Sequence, residues 1–429
     1  MTGVDLAGAL VECGLDPTAR DDKASLFELV LGAFGDLAGG PARDAWWVPG
    51  RLEVFGKHTD YAGGRTLVCA VPRGLAVAAS PRADGRVRVI DARRGEQIVV
   101  QRHDAAEFTG WRHYVAVVAR RLTANFPGAP LGADIVFASD LPPASGMSSS
   151  SALVVAISSV LVRLAGIADR PEWRAEIRGT LDAAGYYACI ENGLNFGALK
   201  GDAGVGTHGG SEDHAAILAA TPGVLSAFAF VPMRPLGRVT MPDPWRFVLV
   251  PSVVRSAKTG AAQGAYNNLA RAAQVLLEIW NAAQPRAASL GIAIARGGEE
   301  TLRQLVRASV IDGWPPNLLE RRLDHFVRED ARVAEALDAF GAADLGRLTE
   351  LAAGSQADAE QLLGNQVGET IALARSARER GAFAACSFGA GFGGSVWALV
   401  NHDAGTFAER WHPGAFVARP GPPLTHLQL

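Results

Sequence analysis

Arg51, Lys57, His58 and Asp60 fall within ten residues of one another, in the stretch PGRLEVFGKHTDYAGG from Pro49 to Gly64. Two cations, an imidazole and a carboxylate at that density can neutralise an anion and orient a hydroxyl in the same place. A half-buried strand would alternate apolar and polar residues, yet only Leu52, Val54 and Phe55 supply apolar weight before the charges take over. The segment is read as a strand that delivers polar groups to a site.

Three further runs carry chemistry. Asp140 to Ala152 reads DLPPASGMSSSSA and leads into the apolar LVVAISSVL. Two prolines stop a preceding strand, Gly146 relieves the turn, and four serines open a helix. Free backbone N–H groups and the positive end of the helix dipole suit phosphate oxygens, and a serine hydroxyl can reach Mg²⁺. A plain serine N-cap is the alternative use of the same residues. Ser387 to Val396 reads SFGAGFGGSV, which satisfies GxGxxG but runs into the strand-like SVWALV instead of opening a helix, so a dinucleotide fingerprint is excluded. A bare hairpin would also need those glycines. Gly204 to His214 reads GVGTHGGSEDH, where His208 and His214 stand six apart with no third ligand, so loop chemistry is favoured over a metal.

The elements that must hold these runs alternate between strand and helix patterns. Strands are expected over Val87 to Ala92, Ile98 to Gln101, Ala133 to Ala138 and Phe247 to Val250. Helices are expected over Trp111 to Asn125, Ser151 to Ala165 and Tyr266 to Trp280. The proline-rich VPMRPLGRVTMPDPW, Val231 to Trp245, denies both a helix and a central strand and marks a junction. Two domains are expected, 1–240 and 241–429, and 429 residues suit that number.

Composition narrows the function classes. Hydrophobic residues make up 48% and charged residues 20%, the balance of a globular chain. With 41 basic against 44 acidic residues, no footprint for nucleic acid or an anionic membrane exists. Cys13, Cys69, Cys189 and Cys386 are scattered without ligand spacing, which fits a reducing cytoplasm. The N-terminal residues carry acids and no long apolar core, so a signal peptide is not expected, and 152–168 reads as a buried helix too polar to span a bilayer. Small-molecule chemistry with no obligatory protein partner is the expectation.

The run from Pro49 to Gly64 closely resembles the first signature of galactokinases in the GHMP kinase superfamily, GRxNLIGEHTDYxxG, with Glu53 in place of Asn and Lys57 in place of Glu. The serine run resembles the second signature, PxGxGLSSSAA, departing at Ala144 and Met147, and GAGFGG matches the third residue for residue. GVGTHGGSEDH looks like the family's GIMDQ segment, and Glu191-Asn192 like its AEN segment. Asp213 follows Glu191 by 22 residues, a longer gap than is typical, so GLNFGALKGDAGVG looks like an insertion. From Pro251, Tyr266 and Asn267 match a fourth stretch that lacks its second Arg.

The resemblance implies an α+β, two-domain GHMP kinase fold: an N-terminal domain like the second domain of ribosomal protein S5, then a C-terminal α/β sandwich. It implies an ATP-dependent kinase acting on the anomeric hydroxyl of a hexose or hexuronate, with ATP and Mg²⁺ as cofactors. Arg51 and Asp213 would be catalytic, and Lys57, His58, Asp60 and Tyr266 would face the sugar. Gly146, Ser148, Ser149, Ser150, Gly391 and Gly393 would hold the nucleotide, with Ser149 and Glu191 on Mg²⁺. Glu191 has an equal alternative as a solvated helix-end carboxylate. Lys57 inverts the family's charge at the sugar's C6 end, which suits a uronate such as galacturonate; its alternatives are to turn away or to pair with Glu53. A non-catalytic sugar and ATP sensor is the other function the family offers.

Overall fold

The computed structural model describes residues 4–429 apart from 39, 102–107, 144, 253 and 255–260. Ala144 and much of the stretch following Pro251 therefore lie outside the described residues. Strands β1 (Asp44–Phe55), β2 (Arg65–Pro81), β3 (Val87–Asp91), β4 (Glu96–Val100), β5 (Ala133–Ser139), β6 (Val224–Ala229) and β7 (Arg234–Thr240) build a first sheet. A second contains β8 (Arg246–Pro251), β9 (Ala384–Phe388), β10 (Ser395–Val400) and β11 (Phe416–Ala418), and β12 (Thr425–Gln428) returns to pair with β1. The first sheet runs β12-β1-β2-β5-β3-β4, with β6 on β2 and β7 on β6; the second runs β11-β8-β10-β9. The chain changes sheets between Thr240 and Arg246. The proline-rich passage does contain a strand, β7, which sits at an edge with mostly exposed residues, where missing N–H groups cost least.

Period-2 alternation explains how the first sheet is covered on both faces. Trp46, Val48, Leu52 and Val54 of β1, with Leu75 and Val77 of β2, enter a core beneath helices Trp111–Asn125, Ser149–Leu164 and Thr180–Asn192. Ala45, Trp47, Ala76 and Ala78 point the other way, against Leu26, Phe27, Val30 and Phe34 of helix Arg20–Ala38. Every residue of β1 is buried as a result, including Arg51 and Glu53. The first core continues into the second sheet, where Trp397 meets Phe55 and Phe247 edge to face at 5.9 and 5.8 Å. No helix among the described residues is long and apolar enough to cross a membrane.

Two local devices aim the polar residues. The β1–β2 register slips between Pro49 and Arg51, where a Cβ on Gly50 would stand 2.7 Å from the Met147 carbonyl. The serine loop presses on the strand there, and Arg51 N–H donates to Met147 O at 3.3 Å. Beyond β1, helix Pro316–Gly341 pins the 56–65 turn at both ends: Glu329 Oε1 accepts from Gly56 N at 3.0 Å, and Asp330 Oδ1 from Arg65 N at 2.7 Å. Gly56 at φ +102 and His58 at φ +57 reverse the chain in between.

Candidate active site

The described residues form a cleft of about 1040 Å³ between the end of β1, the serine loop, the 207–214 loop and the β9–β10 turn. Arg51, His58, Asp60, Gly146, Ser148, Ser149, Ser150, Glu191, Asp213 and Tyr266 all line it. At its centre the buried Arg51 guanidinium serves three partners at once. Nε donates to Asp213 Oδ1 at 2.6 Å, Nη1 to Gly146 O at 2.6 Å and Nη2 to Glu212 Oε1 at 3.2 Å. The planar fork of arginine is what makes three diverging bonds from one group achievable. Asp213 Oδ2 accepts from Ser151 Oγ at 3.1 Å.

Asp213 and Arg51 meet although 162 residues separate them. The apparent insertion does not pull Glu191 away. Val205 N–H donates to Glu191 O at 2.8 Å, and Gly204 packs so close to Gly193 that a Cβ would meet its N at 2.4 Å, so the loop leaves and returns at one point. Glu191 is buried with its carboxylate 3.1 Å from His214 Nε2, so it is not a solvated helix end. Asn192 holds the following loop, donating to Gly210 O and accepting from Gly209 N, both at 3.0 Å. Asp60 accepts from Glu212 N at 3.1 Å, and burial pushes its carboxyl above the usual range. Only glycine fits at 210, since a Cβ would fall 1.9 Å from Asp60 Oδ2.

The serine run begins a helix without capping it. Ser148 takes a left-handed conformation, φ 61 and ψ 37, and makes no side-chain cap bond. Its hydroxyl is buried and has no hydrogen-bond partner in the structure. An unfilled hydroxyl beside uncapped helical N–H groups on a cleft wall is a cradle for an anion. Behind it, Ser395 Oγ donates to Ser145 O at 2.5 Å, and Gly389 approaches Gly146 so closely that a Cβ would lie 2.7 Å from its carbonyl. Leu75, Trp111, Phe137 and Leu153 also line the cleft, together with the charged Arg73, Asp91, Arg93 and Arg94.

Three expected site residues do not line the cleft. Lys57 is only 1% exposed and faces inward: Nζ donates to Ser355 Oγ at 2.6 Å, lies 3.1 Å from Cys386 Sγ and pairs with Glu329 at 3.9 Å. Burial alone would raise the Glu329 carboxyl, but Lys57 and Arg332 outweigh it and hold it below its ordinary value. Lys57 thus neutralises the acid that pins the turn, in place of the expected sugar contact. Gly391 and Gly393 also turn away, and Gly389 and Ala390 take the cleft edge instead. Gly391, at φ +76, packs where a Cβ would strike Asn365 Nδ2 at 2.3 Å, and Phe392 N–H donates to Asn365 O at 2.6 Å. His58 Nε2 lies 3.1 Å from Ala390 O, tying this turn to the 56–65 turn.

Sequence reasoning passed over Ser151, Glu212, Asn192 and the Glu329–Asp330 pair as working parts. Ser151 had a signal, as the fourth serine of the run and the third residue of the helix. The acidic pair had none, because its partners lie more than 260 positions away.

The fold and the cleft define a GHMP kinase. A profile described as the GHMP kinases N terminal domain matches residues 113–187, and one described as the galactokinase galactose-binding signature matches 33–81. The galactokinase of Chloroflexus aurantiacus is 30% identical over 407 residues, spanning 92% of this chain and 91% of its own. That of Actinobacillus pleuropneumoniae serotype 3 is 27% identical, over 87% and 89%. The crystal structure of Lactococcus lactis galactokinase complexed with galactose superposes with a TM-score of 0.75 at 23% identity, covering 93% of this chain and 99% of that one. Methanococcus jannaschii mevalonate kinase follows at 0.57 and 13%, over 88% and 98%. The chain belongs to the galactokinase family and is an ATP-dependent sugar kinase.

Proposed function

We propose that this cleft transfers the γ-phosphoryl group of Mg·ATP to the anomeric hydroxyl of a galactose-like hexose. One observation carries the reading: a single guanidinium, Arg51, holds both the carbonyl of the phosphate-type loop at Gly146 and the carboxylate of Asp213. Phosphoryl transfer asks for positioning and charge neutralisation more than for covalent chemistry. Asp213 orients the sugar hydroxyl and takes its proton late, while Ser151 fixes the carboxylate's second oxygen. Asp60, His58 and Tyr266 supply the sugar wall. The aromatic pair Trp111 and Phe137, 5.4 Å apart on the lining, suits a purine base, and the triphosphate runs along Ser148–Ser150. Among the described residues no three His, Cys, Asp or Glu side chains could hold a metal by themselves. That is the situation Mg²⁺ tolerates, since it takes one or two protein oxygens and its remaining ligands from phosphates and water. Ser149 and Glu191 are the groups that would serve it. The intact Arg51–Asp213–Ser151 cluster favours turnover over a sensor.

Gly146 anchors the nucleotide end. At φ +72 its Cβ would meet nothing nearer than 3.4 Å, so a side chain there is opposed by backbone strain and not by crowding. Gly146→Val costs about 1–3 kcal/mol in loop conformation, and ATP affinity is expected to fall about tenfold or more as that conformation is lost. Ser149→Ala should cost less, because adjacent serines and N–H groups remain. ATP titrations of both variants check this; equal and negligible effects would reduce the loop to a helix cap.

The inward course of Lys57 removes the charge argument for a uronate and leaves a neutral hexose as the substrate proposed. Lys57→Met should leave the ratio of kcat/KM for galactose over galacturonate unchanged. It should also destabilise the fold by about 1–3 kcal/mol, since Ser355 Oγ would lose a buried donor and Glu329 would keep Arg332 Nη1 at 2.8 Å but lose its second cation. Denaturant unfolding and the two kcat/KM values are the measurements. A shifted sugar preference would restore Lys57 to the sugar.

A further inference from the structure

Helix Pro316–Gly341 backs the sugar side of the cleft with Arg322, a buried arginine that pairs with no carboxylate among the described residues. Its guanidinium donates to four neutral acceptors instead. Nε bonds Leu269 O at 3.3 Å, Nη1 bonds His325 Nδ1 at 3.1 Å, and Nη2 bonds both His58 O at 2.7 Å and Tyr61 Oη at 3.1 Å. Burial, then Arg322 itself, hold the His325 imidazole well below its usual value, so that ring is neutral and can accept. Burying a cation without an acid is costly, so these bonds are what hold it in place. Two of the four acceptors belong to the 56–65 turn, and His58 and Tyr61 both line the cleft.

The same bonds assign the protons of His58. Its Nε2 lies 3.1 Å from Ala390 O, an oxygen that can only accept, so Nε2 carries a hydrogen. Asn365 Nδ2, 3.3 Å from that nitrogen, has the same carbonyl as its acceptor at 3.4 Å. In a neutral imidazole Nδ1 is then an acceptor, and the Tyr61 hydroxyl 2.9 Å away is its donor. Burial pushes the Tyr61 phenol up to about 12, so that hydrogen is present at neutral pH. An imidazolium would set two donors and a second cation against one phenol oxygen. The bonds therefore run in one direction, from Arg322 Nη2 to Tyr61 Oη, from Tyr61 to His58 Nδ1, and from His58 Nε2 to Ala390 O.

We propose that Arg322 is a positioning residue for the sugar side of the cleft: acting through Tyr61, it holds His58 in the neutral Nε2–H form and ties the 56–65 turn to the β9–β10 turn. A donor that is itself bonded to a cation is strengthened, so Arg322 makes Tyr61 a better donor to His58. Both ring nitrogens of His58 are engaged by the protein, so the residue meets a ligand through its ring carbons, beside the Tyr266 ring at 5.3 Å between centroids. The relay spans three elements far apart in sequence, and Arg51, Asp213 and Gly146 lie on others. Its loss should loosen the wall that receives the sugar and spare the groups that carry the transfer.

Tyr61→Phe keeps the ring and deletes the relay. In protein carrying ¹⁵N-labelled histidine at neutral pH, NMR of the wild type should show His58 with a protonated Nε2 and an unprotonated, hydrogen-bonded Nδ1, its signals assigned by their loss in His58→Gln. Tyr61→Phe should move the Nδ1 signal toward that of a nitrogen with no donor and leave Nε2 protonated. An Nδ1–H tautomer or an imidazolium in the wild type, or an Nδ1 signal unmoved in Tyr61→Phe, would overturn the relay, and this arm does not use turnover. The kinetic arm rests on the sugar-kinase reading. Tyr61→Phe should raise the sugar KM about tenfold, the scale of one hydrogen bond to a charged group, with kcat little changed; an unchanged sugar KM would overturn the positioning role. Arg322→Lys should act in the same direction, because one ammonium cannot serve His58 O and Tyr61 Oη together as the fork does. A folded Lys variant with the wild-type His58 signals and sugar KM would remove Arg322 from the relay.

Discussion

Asp213→Asn is expected to lower kcat by roughly a hundredfold or more, the scale of lost acid–base help, with ATP binding unchanged. The substitution is nearly isosteric, and its surroundings can absorb it. The amide oxygen can keep the Arg51 Nε bond at 2.6 Å, and the amide N–H can donate to Ser151 Oγ, which now donates at 3.1 Å. Glu212 continues to balance Arg51, so no bare cation is left. What disappears is the proton acceptor and one negative charge, at the point where the sugar hydroxyl must lose its proton. The measurements are kcat at saturating sugar and ATP, an ATP titration and a thermal melt. Near-normal turnover in a folded Asn variant would remove Asp213 from the chemistry.

Arg51→Lys should be the second severe change, and it should differ in kind. A lysine keeps the charge but concentrates its donors at one point on a flexible stem, whereas Arg51 bonds Asp213, Gly146 O and Glu212 in three directions. The ammonium can serve the carboxylates or the loop carbonyl but not both. We expect kcat to fall by about a hundredfold, and the KM for ATP to rise by about tenfold because the Gly146 carbonyl loses a charged donor worth about 1.5–3 kcal/mol. Asp213→Asn, in contrast, leaves the KM for ATP alone. An Arg51→Lys variant that loses kcat with an unchanged ATP KM would show that the guanidinium does not organise the nucleotide loop.

How much of this was legible in the sequence varies with the range of the interaction. The helix over Trp111–Asn125 and the strands near Val87, Ala133 and Phe247 rest on local periodicity and lie where the pattern puts them. The serine run was legible as a helix start, since two prolines and a glycine precede it. Lys57 was misjudged because its sequence neighbours His58 and Asp60 do reach the cleft. Left-handed residues on both sides, Gly56 and His58, turn the chain so that adjacent side chains take opposite directions, and partners on three distant elements decide where the lysine settles. Gly391 and Gly393 were assigned to the nucleotide from a glycine pattern that cannot separate close approach to a ligand from close approach to Asn365. The 22-residue gap after Glu191 looked like displacement, yet a loop closed at its own base displaces nothing.

The central claim is transfer of a phosphoryl group to the oxygen of the sugar's anomeric hydroxyl. Purified protein should be incubated with Mg·ATP and galactose, with ADP followed by a coupled assay and the product by ³¹P NMR. The expected result is ADP released in step with galactose consumed, a single phosphomonoester on C1, and a silent Asp213→Asn control. Binding of ATP and galactose with no ADP above the level without sugar, or ADP release that ignores the sugar, would contradict it.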